Sequence, residues 1–122
     1  MSGNRQQLGA EGERVAAKLL RRYRYRILQQ NYRCRVGEVD LIALDGTTVV
    51  FVEVKTRTQE GFGSPLEAVD RRKQRQMARA ARYFLSEHDL HDRPVRFDVV
   101  GVWWEGGRIT CELIQNAFEV SE

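Results

Sequence analysis

The sequence predicts an α/β domain, a mixed sheet of about five strands flanked by two main helices. Three observations carry this. Two stretches, residues 5–24 and a second beginning at Pro65, set an apolar stripe at helical spacing beside a charged face. Three strand-length runs lie between them and two more follow the second helix. Asp45-Gly46, between two apolar runs, is a short-range hairpin signal. A helix between strands three and four permits a parallel crossover, expected to be right-handed, so the sheet is mixed.

The first helix carries Leu8, Val15, Leu19 and Tyr23 near one stripe, broadened by Ala16 and Leu20. Glu13 falls at the edge of that stripe, either as a solvated i,i+4 partner of a basic residue or as a carboxylate leaning toward the sheet. Arg21, Arg22, Arg24 and Arg26 interleave with Tyr23 and Tyr25 at the helix end. They suit the helix dipole, and equally a phosphate-contacting patch. Tyr25 to Arg35 reads as the first strand, with Ile27 and Leu28 buried and an irregularity around Gln29-Gln30-Asn31.

Val39 to Leu44 and Val49 to Val54 are the second and third strands. Thr56 to Ser64 is polar, with two glycines, and reads as a loop beside them. Pro65 opens the second helix, with Ser64 as N-cap and Glu67 completing a capping box. Leu66, Val69, Met77, Ala80, Ala81, Phe84 and Leu85 mark its buried side. Arg71, Arg75, Arg79 and Arg82 recur on another side, where like charges at i,i+4 repel. Such a row is either a solvated face or one relieved by a polyanion. Ser86 to Arg93 is a polar connection. Its His88 and His91 read as turn residues rather than metal ligands. Val95 to Trp104 is the fourth strand, Glu105-Gly106-Gly107 a turn, and Arg108 to Ile114 the fifth strand.

A chain of 122 residues is enough for one compact core, so residues 1–122 are read as a single domain. No run approaches the ~18–20 apolar residues that span a bilayer. The first residues lack the pattern of a secretory signal, and two distant cysteines, Cys34 and Cys111, fit no zinc motif. A reducing cytoplasm is the expected setting. The net charge is +3, and of 20 basic residues only Lys18, Lys55 and Lys73 are lysines. Arginine suits phosphate, though a GC-rich genome would give the same bias.

The chemistry concentrates in the central hairpin. Side chains alternate along a strand, so Val49, Phe51, Glu53 and Lys55 share one face and Val50, Val52 and Val54 the other. Glu38 and Asp40 share a face with Ile42 and Leu44. A two-residue turn sets Asp40 diagonal to Glu53, and a four-residue loop sets it directly opposite. Any odd loop sends it to the other side. An even loop is predicted. Two carboxylates and an ammonium on an apolar ribbon cost free energy unless they are paired or hold a metal. They therefore form either a structural salt bridge or a hard-cation site for Mg²⁺ or Mn²⁺.

Asp40, twelve residues, then Glu53-Val54-Lys55 at the end of an apolar strand resembles the PD-(D/E)XK nuclease signature. The element order is also that of this superfamily, which implies a restriction-endonuclease-like core. Gly9 to Ala17, Asn31 to Arg35, Gly37 to Ile42, Phe51 to Arg57, Gly63-Ser64-Pro65 with Glu67-Ala68-Val69, and Arg96 to Val99 together resemble the bacterial YraN family, also called UPF0102. The match runs across nearly the whole chain. That family is similar to archaeal Holliday junction resolvases. The resemblance implies that Asp40, Glu53 and the Val54 carbonyl ligate a metal, and that Lys55 orients water or offsets phosphate charge. It implies that Glu13 reaches the metal, that Glu38 is a ligand or supports one, and that Lys73 contacts phosphate. The proline of the signature is Val39 here.

Three readings follow. The first is a Mg²⁺- or Mn²⁺-dependent endonuclease acting on DNA, in preference to RNA, with branched or flapped structures as candidate substrates. Asp40, Glu53, Lys55 and Glu13 would be catalytic, and Arg57, Lys73, Arg71, Arg75, Arg79, Arg24 and Arg26 would contact nucleic acid. The second is a non-catalytic nucleic-acid-binding module on the same scaffold. The third is an interaction protein, a homodimer among its forms, paired through the edge at Trp103-Trp104.

Overall fold

Val49, Val50, Phe51 and Val52 are all fully buried, so their strand needs cover on both faces. A computed structural model, describing residues 5–58 and 69–120, provides that cover. Its elements are α1 (Arg5–Arg22), β1 (Arg26–Cys34), β2 (Gly37–Asp45), β3 (Thr48–Thr58), α2 (Arg71–Glu87), β4 (Val95–Glu105) and β5 (Arg108–Ile114). The sheet runs β1-β2-β3-β4-β5. The first three strands form an antiparallel meander, β3 and β4 are parallel across α2, and β5 returns antiparallel. This is the mixed five-stranded α/β architecture expected, with two helices among the described residues. No helix among the described residues is long and apolar enough to cross a membrane.

One face packs on α2, where Met77, Ala80, Ala81 and Phe84 meet Tyr32, Val49, Phe51 and Val99. Phe84 stands edge-on to Tyr32 and Phe51, with centroids 5.3 and 6.0 Å apart, the arrangement ring quadrupoles favour. The other face packs on α1, where Ala16, Ala17 and Leu20 meet Leu41, Val50, Val52, Val100 and Val102. Small residues let that helix lie close. At Gly12 even a Cβ would land on the Thr56 hydroxyl, so only glycine seats α1 against the end of β3.

The central hairpin has the even register predicted. Leu44 faces Val49 and Asp45 faces Thr48, so the turn residues are Gly46-Thr47 rather than Asp45-Gly46. Several expectations need correction. The helix carrying the arginine row begins at Arg71, not Pro65. Asp70 is its N-cap, accepting from the Lys73 N–H at 2.9 Å, and Val69 lies buried just before it. Asp70 is in extended conformation, which ends any helix coming from upstream. Ser64, Pro65, Leu66 and Glu67 lie outside the described residues, as does most of the Thr56–Ser64 loop; Thr56 to Thr58 extend β3. Of the stripe expected on the first helix, Tyr23 lies just past the end of α1 and is half exposed, and the Leu8 side chain is outside the described set. In β1 the buried residues are Tyr32 and, just before the strand, Tyr25; Leu28 is exposed. The cause is a bulge between Ile27 and Gln29, which shifts the register on Leu44–Ala43 relative to Ile42–Leu41. Asn31, at φ 54, adds a left-handed residue to the same irregular stretch.

A buried polar network closes the end of the sheet near the β2–β3 turn. Asp98, fully buried, accepts from the Tyr25 hydroxyl at 2.7 Å, the Arg96 Nε at 3.0 Å and the Asn116 N–H at 2.9 Å. Arg96 also donates to Asp45 at 2.9 Å, and Gln115 to the Tyr25 hydroxyl at 2.8 Å.

Candidate functional site

The β2–β3 ladder pairs residues from Asp45–Thr48 down to Leu41–Val52. One step further the same register sets Asp40 opposite Glu53. There the Val54 N–H is taken by the Asp40 carboxylate, Oδ2, at 2.8 Å. The alternation of β2 slips at this point. Val39 belongs to the α2-side cluster and Leu41 to the α1-side cluster, although residues two apart in a strand should share a face. Asp40 therefore sits where the strand changes face and binds a peptide group of the next strand with its side chain.

Glu53 is 4% exposed and lies on the α2 face with Phe51. Its Oε2 has the Lys55 Nζ at 3.5 Å and the Lys73 Nζ at 3.7 Å, while its Oε1 is buried with no hydrogen-bond partner. Burial first, and then the charge of Asp40, push this carboxyl up to about 7 against the pull of Lys73 and Lys55. Asp40 is also raised, chiefly by burial, with the Val54 N–H and Lys73 opposing and Glu38 adding to the rise. The charge of Asp40 thus makes Glu53 harder to ionise, whereas Glu53, as a hydrogen-bonding neighbour, eases the ionisation of Asp40; burial still leaves both raised despite the two ammonium groups.

Glu13, on α1, is raised by burial and by the charge of Asp40, and hydrogen-bonds Asn31. The close seat at Gly12 brings it to this end of the sheet. Four of the expected residues, Asp40, Glu53, Lys55 and Glu13, therefore converge, and Lys73 joins them from the first turn of α2. Val54 is tied in through its N–H. Glu38 is exposed and pairs with Arg33 at 3.5 Å, reaching the others only as charge. Arg57, half-buried near the end of β3, donates to the Thr56 carbonyl at 3.3 Å. Among the described residues no group of three His, Cys, Asp or Glu side chains forms a metal cluster. His88 stacks on Phe84, and His91 lies beside Asp89 at 3.4 Å.

The basic residues do not share one surface. Arg26 pairs with Leu44, so Arg24 and Arg26 sit at the far end of β2, about 13 Å along the strand from Asp40. Arg71 and Arg75 line a cleft with Glu119 and Val120. Arg72, Lys73 and Arg79 line a separate one with Val36. Trp103 and Trp104 are half-buried, and the Trp104 indole N–H is buried without an acceptor. Sequence reasoning missed Asn31 and Arg72. It also passed over Asp98, although an acid sharing a strand face with Val100 and Val102 is the same signal that singled out Glu53.

Residues 12–102 match the family described as "Uncharacterised protein family UPF0102". A UPF0102 protein of Geobacter metallireducens is 46% identical over 99% of this chain and 99% of its own length. One of Moorella thermoacetica is 44% identical over 97% of this chain and all of its own, and one of Symbiobacterium thermophilum is 50% identical over 91% and 95%. The matched span includes Glu13, Asp40, Glu53, Lys55 and Lys73, and on this evidence the chain belongs to the UPF0102 family.

Proposed function

We propose that this protein is a Mg²⁺- or Mn²⁺-dependent endonuclease of the PD-(D/E)XK type. It hydrolyses phosphodiester bonds in DNA, with branched or flapped structures as the favoured substrates, and works in the cytoplasm. The observation that carries this reading is the Glu53 carboxylate: buried, raised to about 7, and left with one oxygen unpartnered beside a second raised acid. A protein that only needed a salt bridge there would gain more from a single acid facing Lys73.

The donor set fits a hard divalent ion. Asp40 holds the Val54 N–H with Oδ2, and Glu53 offers Oε1, which has no hydrogen-bond donor. Carboxylate oxygens are what Mg²⁺ and Mn²⁺ select, and such ions keep several waters, so two carboxylates are enough. When bound, the ion supplies Lewis-acid stabilisation of charge on a phosphate and makes water a better nucleophile. The chain's own residues do the rest. Lys55 orients the attacking water or offsets charge on the phosphate. Lys73 neutralises a non-bridging oxygen from the α2 side. Glu13, which feels the charge of Asp40 and is hydrogen-bonded by Asn31, would add a further carboxylate to the ion's surroundings.

The test is divalent-ion titration by calorimetry beside cleavage of a panel of linear, nicked, flapped and four-way DNA and of RNA. Wild type should bind Mn²⁺ and cut, and Asp40→Ala and Glu53→Ala should do neither. Cleavage that survives both substitutions would place the activity elsewhere. A second reading, a nucleic-acid-binding module without catalysis, draws on α2. Among the described residues Arg71, Arg72, Arg75 and Arg79 have no ion-pair partner. It predicts salt-dependent DNA binding that Asp40→Ala leaves unchanged, with no heat of metal binding.

A further inference from the structure

The cleft that holds Lys73 does not end there. Arg72, Lys73, Gln76 and Arg79 on α2 face Val36, in the two-residue turn between β1 and β2, across a space of about 400 Å³. A second space of about 350 Å³ shares Val36 and Arg79 and continues to Tyr83 and Ser86. The two form one groove along α2. At its inner end the Lys73 ammonium is 3.7 Å from Glu53. At its outer end the Tyr83 side chain is 39% exposed, and among the described residues no aromatic ring lies against it.

Charge and spacing say what this groove suits. Its wall carries four cations, Arg72, Lys73, Arg79 and Arg82, against one acid, Asp70, whose carboxylate caps the helix by accepting from the Lys73 N–H, and Arg72 and Arg79 lack ion-pair partners among the described residues. From Lys73 to Tyr83 the helix rises roughly 15 Å, the length of about four nucleotides at a rise of about 3.4 Å each. A cationic row ending in an uncovered aromatic is the combination that grips a backbone and stacks an unpaired base. Arg71 and Arg75 open instead on the cleft with Glu119 and have no part in it.

We infer that the groove between α2 and the Arg35-Val36 turn is a track for single-stranded DNA leading away from Asp40 and Glu53. Arg72 and Arg79 hold consecutive phosphates and Tyr83 stacks a base. This rests on the nuclease reading of the carboxylate pair and adds a single-stranded arm to the substrate. A duplex would present paired bases that Tyr83 could not reach.

The experiment is fluorescence anisotropy of a labelled oligothymidine with the full chain in EDTA, over a salt series, with oligouridine and a duplex of equal length as further probes. Wild type should bind oligothymidine more tightly than the duplex. Arg72→Ala and Arg79→Ala should each flatten the log–log salt slope by about 0.7, whereas Arg75→Ala should leave it unchanged. Tyr83→Ala should weaken binding roughly five- to hundred-fold with the slope intact, and Tyr83→Phe should restore it. Wild-type affinity in Tyr83→Ala, equal slopes in all three arginine variants, or binding confined to oligouridine overturns the track while leaving the nuclease reading standing. If no nucleic acid binds, and wild type neither binds Mn²⁺ nor cuts any substrate, both fall.

Discussion

Glu53→Gln should make this protein more stable and inactive. Glutamine has the shape and hydrogen-bonding groups of a protonated glutamate, so the variant mimics the low-pH form of residue 53 at every pH. The folded protein raises this carboxyl from 4.5 to about 7. Its charge is therefore opposed by the fold, and the opposition is felt only where the group ionises. Below pH 4.5 it is protonated in both folded and unfolded chains and contributes nothing. Between 4.5 and 7 the folded state holds the extra proton, so wild-type stability falls as pH rises through that window. At about 1.4 kcal/mol per pH unit the full penalty above pH 7 is about 3 kcal/mol. That figure is already net of the attraction of Lys55 and Lys73, which at 27% and 25% exposure keep water when the acid is gone. Urea unfolding in EDTA from pH 5 to 8.5 should show wild type losing more stability than Glu53→Gln, the gap opening to about 3 kcal/mol. Adding Mn²⁺ at a hundred times its Kd should return about 2.7 kcal/mol to wild type and little to the variant. Parallel curves for the two proteins would refute the claim that residue 53 carries a disfavoured buried charge.

Three further outcomes follow from the same packing. Lys73→Met removes a charge that favours ionised Glu53, so the midpoint of the pH-dependent stability loss should move above 7, read in the same urea series. Asp98→Ala leaves Arg96, the Tyr25 hydroxyl and the Asn116 N–H without their shared acceptor and should cost about 3–5 kcal/mol, against about 1 kcal/mol for Tyr25→Phe, by urea midpoint. Gly12→Ala drives a methyl onto the Thr56 hydroxyl and should cost about 1–3 kcal/mol; adding Thr56→Ala should recover part of that, a coupling a double-mutant cycle measures.

The strands were legible from period 2, and the meeting of Asp40 with Glu53 from the hairpin register, which holds even though the alternation of β2 slips at Asp40. Once the hairpin loop is even, the acids share a surface whichever even length it has. What period 2 could not supply is where the chain departs from it. The bulge at Leu28 and the left-handed Asn31 exposed a leucine that propensity would bury, and drew Tyr32 inward to meet Phe84. The start of α2 was misplaced because Ser64 with Glu67 is a capping box as good as any, and Asp70 caps by the same chemistry. Nothing local ranks two caps six residues apart. The arginine row was legible as a spacing and not as a surface. Arg75 and Arg79, neighbours one turn apart on the helix, open on different clefts because the C-terminal tail lies beside one and the β1–β2 turn beside the other.

Two acids in one sheet separate what holds the fold from what invites a ligand. Asp98 and Glu53 are both inside, both on strands, both beside cations. Asp98 is completed by the protein, since a hydroxyl, a guanidinium and a peptide N–H fill its oxygens. Removing it can only subtract. Glu53 has two ammonium groups at 3.5 and 3.7 Å, beyond good hydrogen-bond length, an oxygen with no donor, and another acid across the ladder. A buried carboxylate left in that condition lowers stability, and such sites persist where function requires them. On the nuclease reading proposed above, what completes the pair is a small divalent cation, which brings positive charge and takes several oxygen ligands.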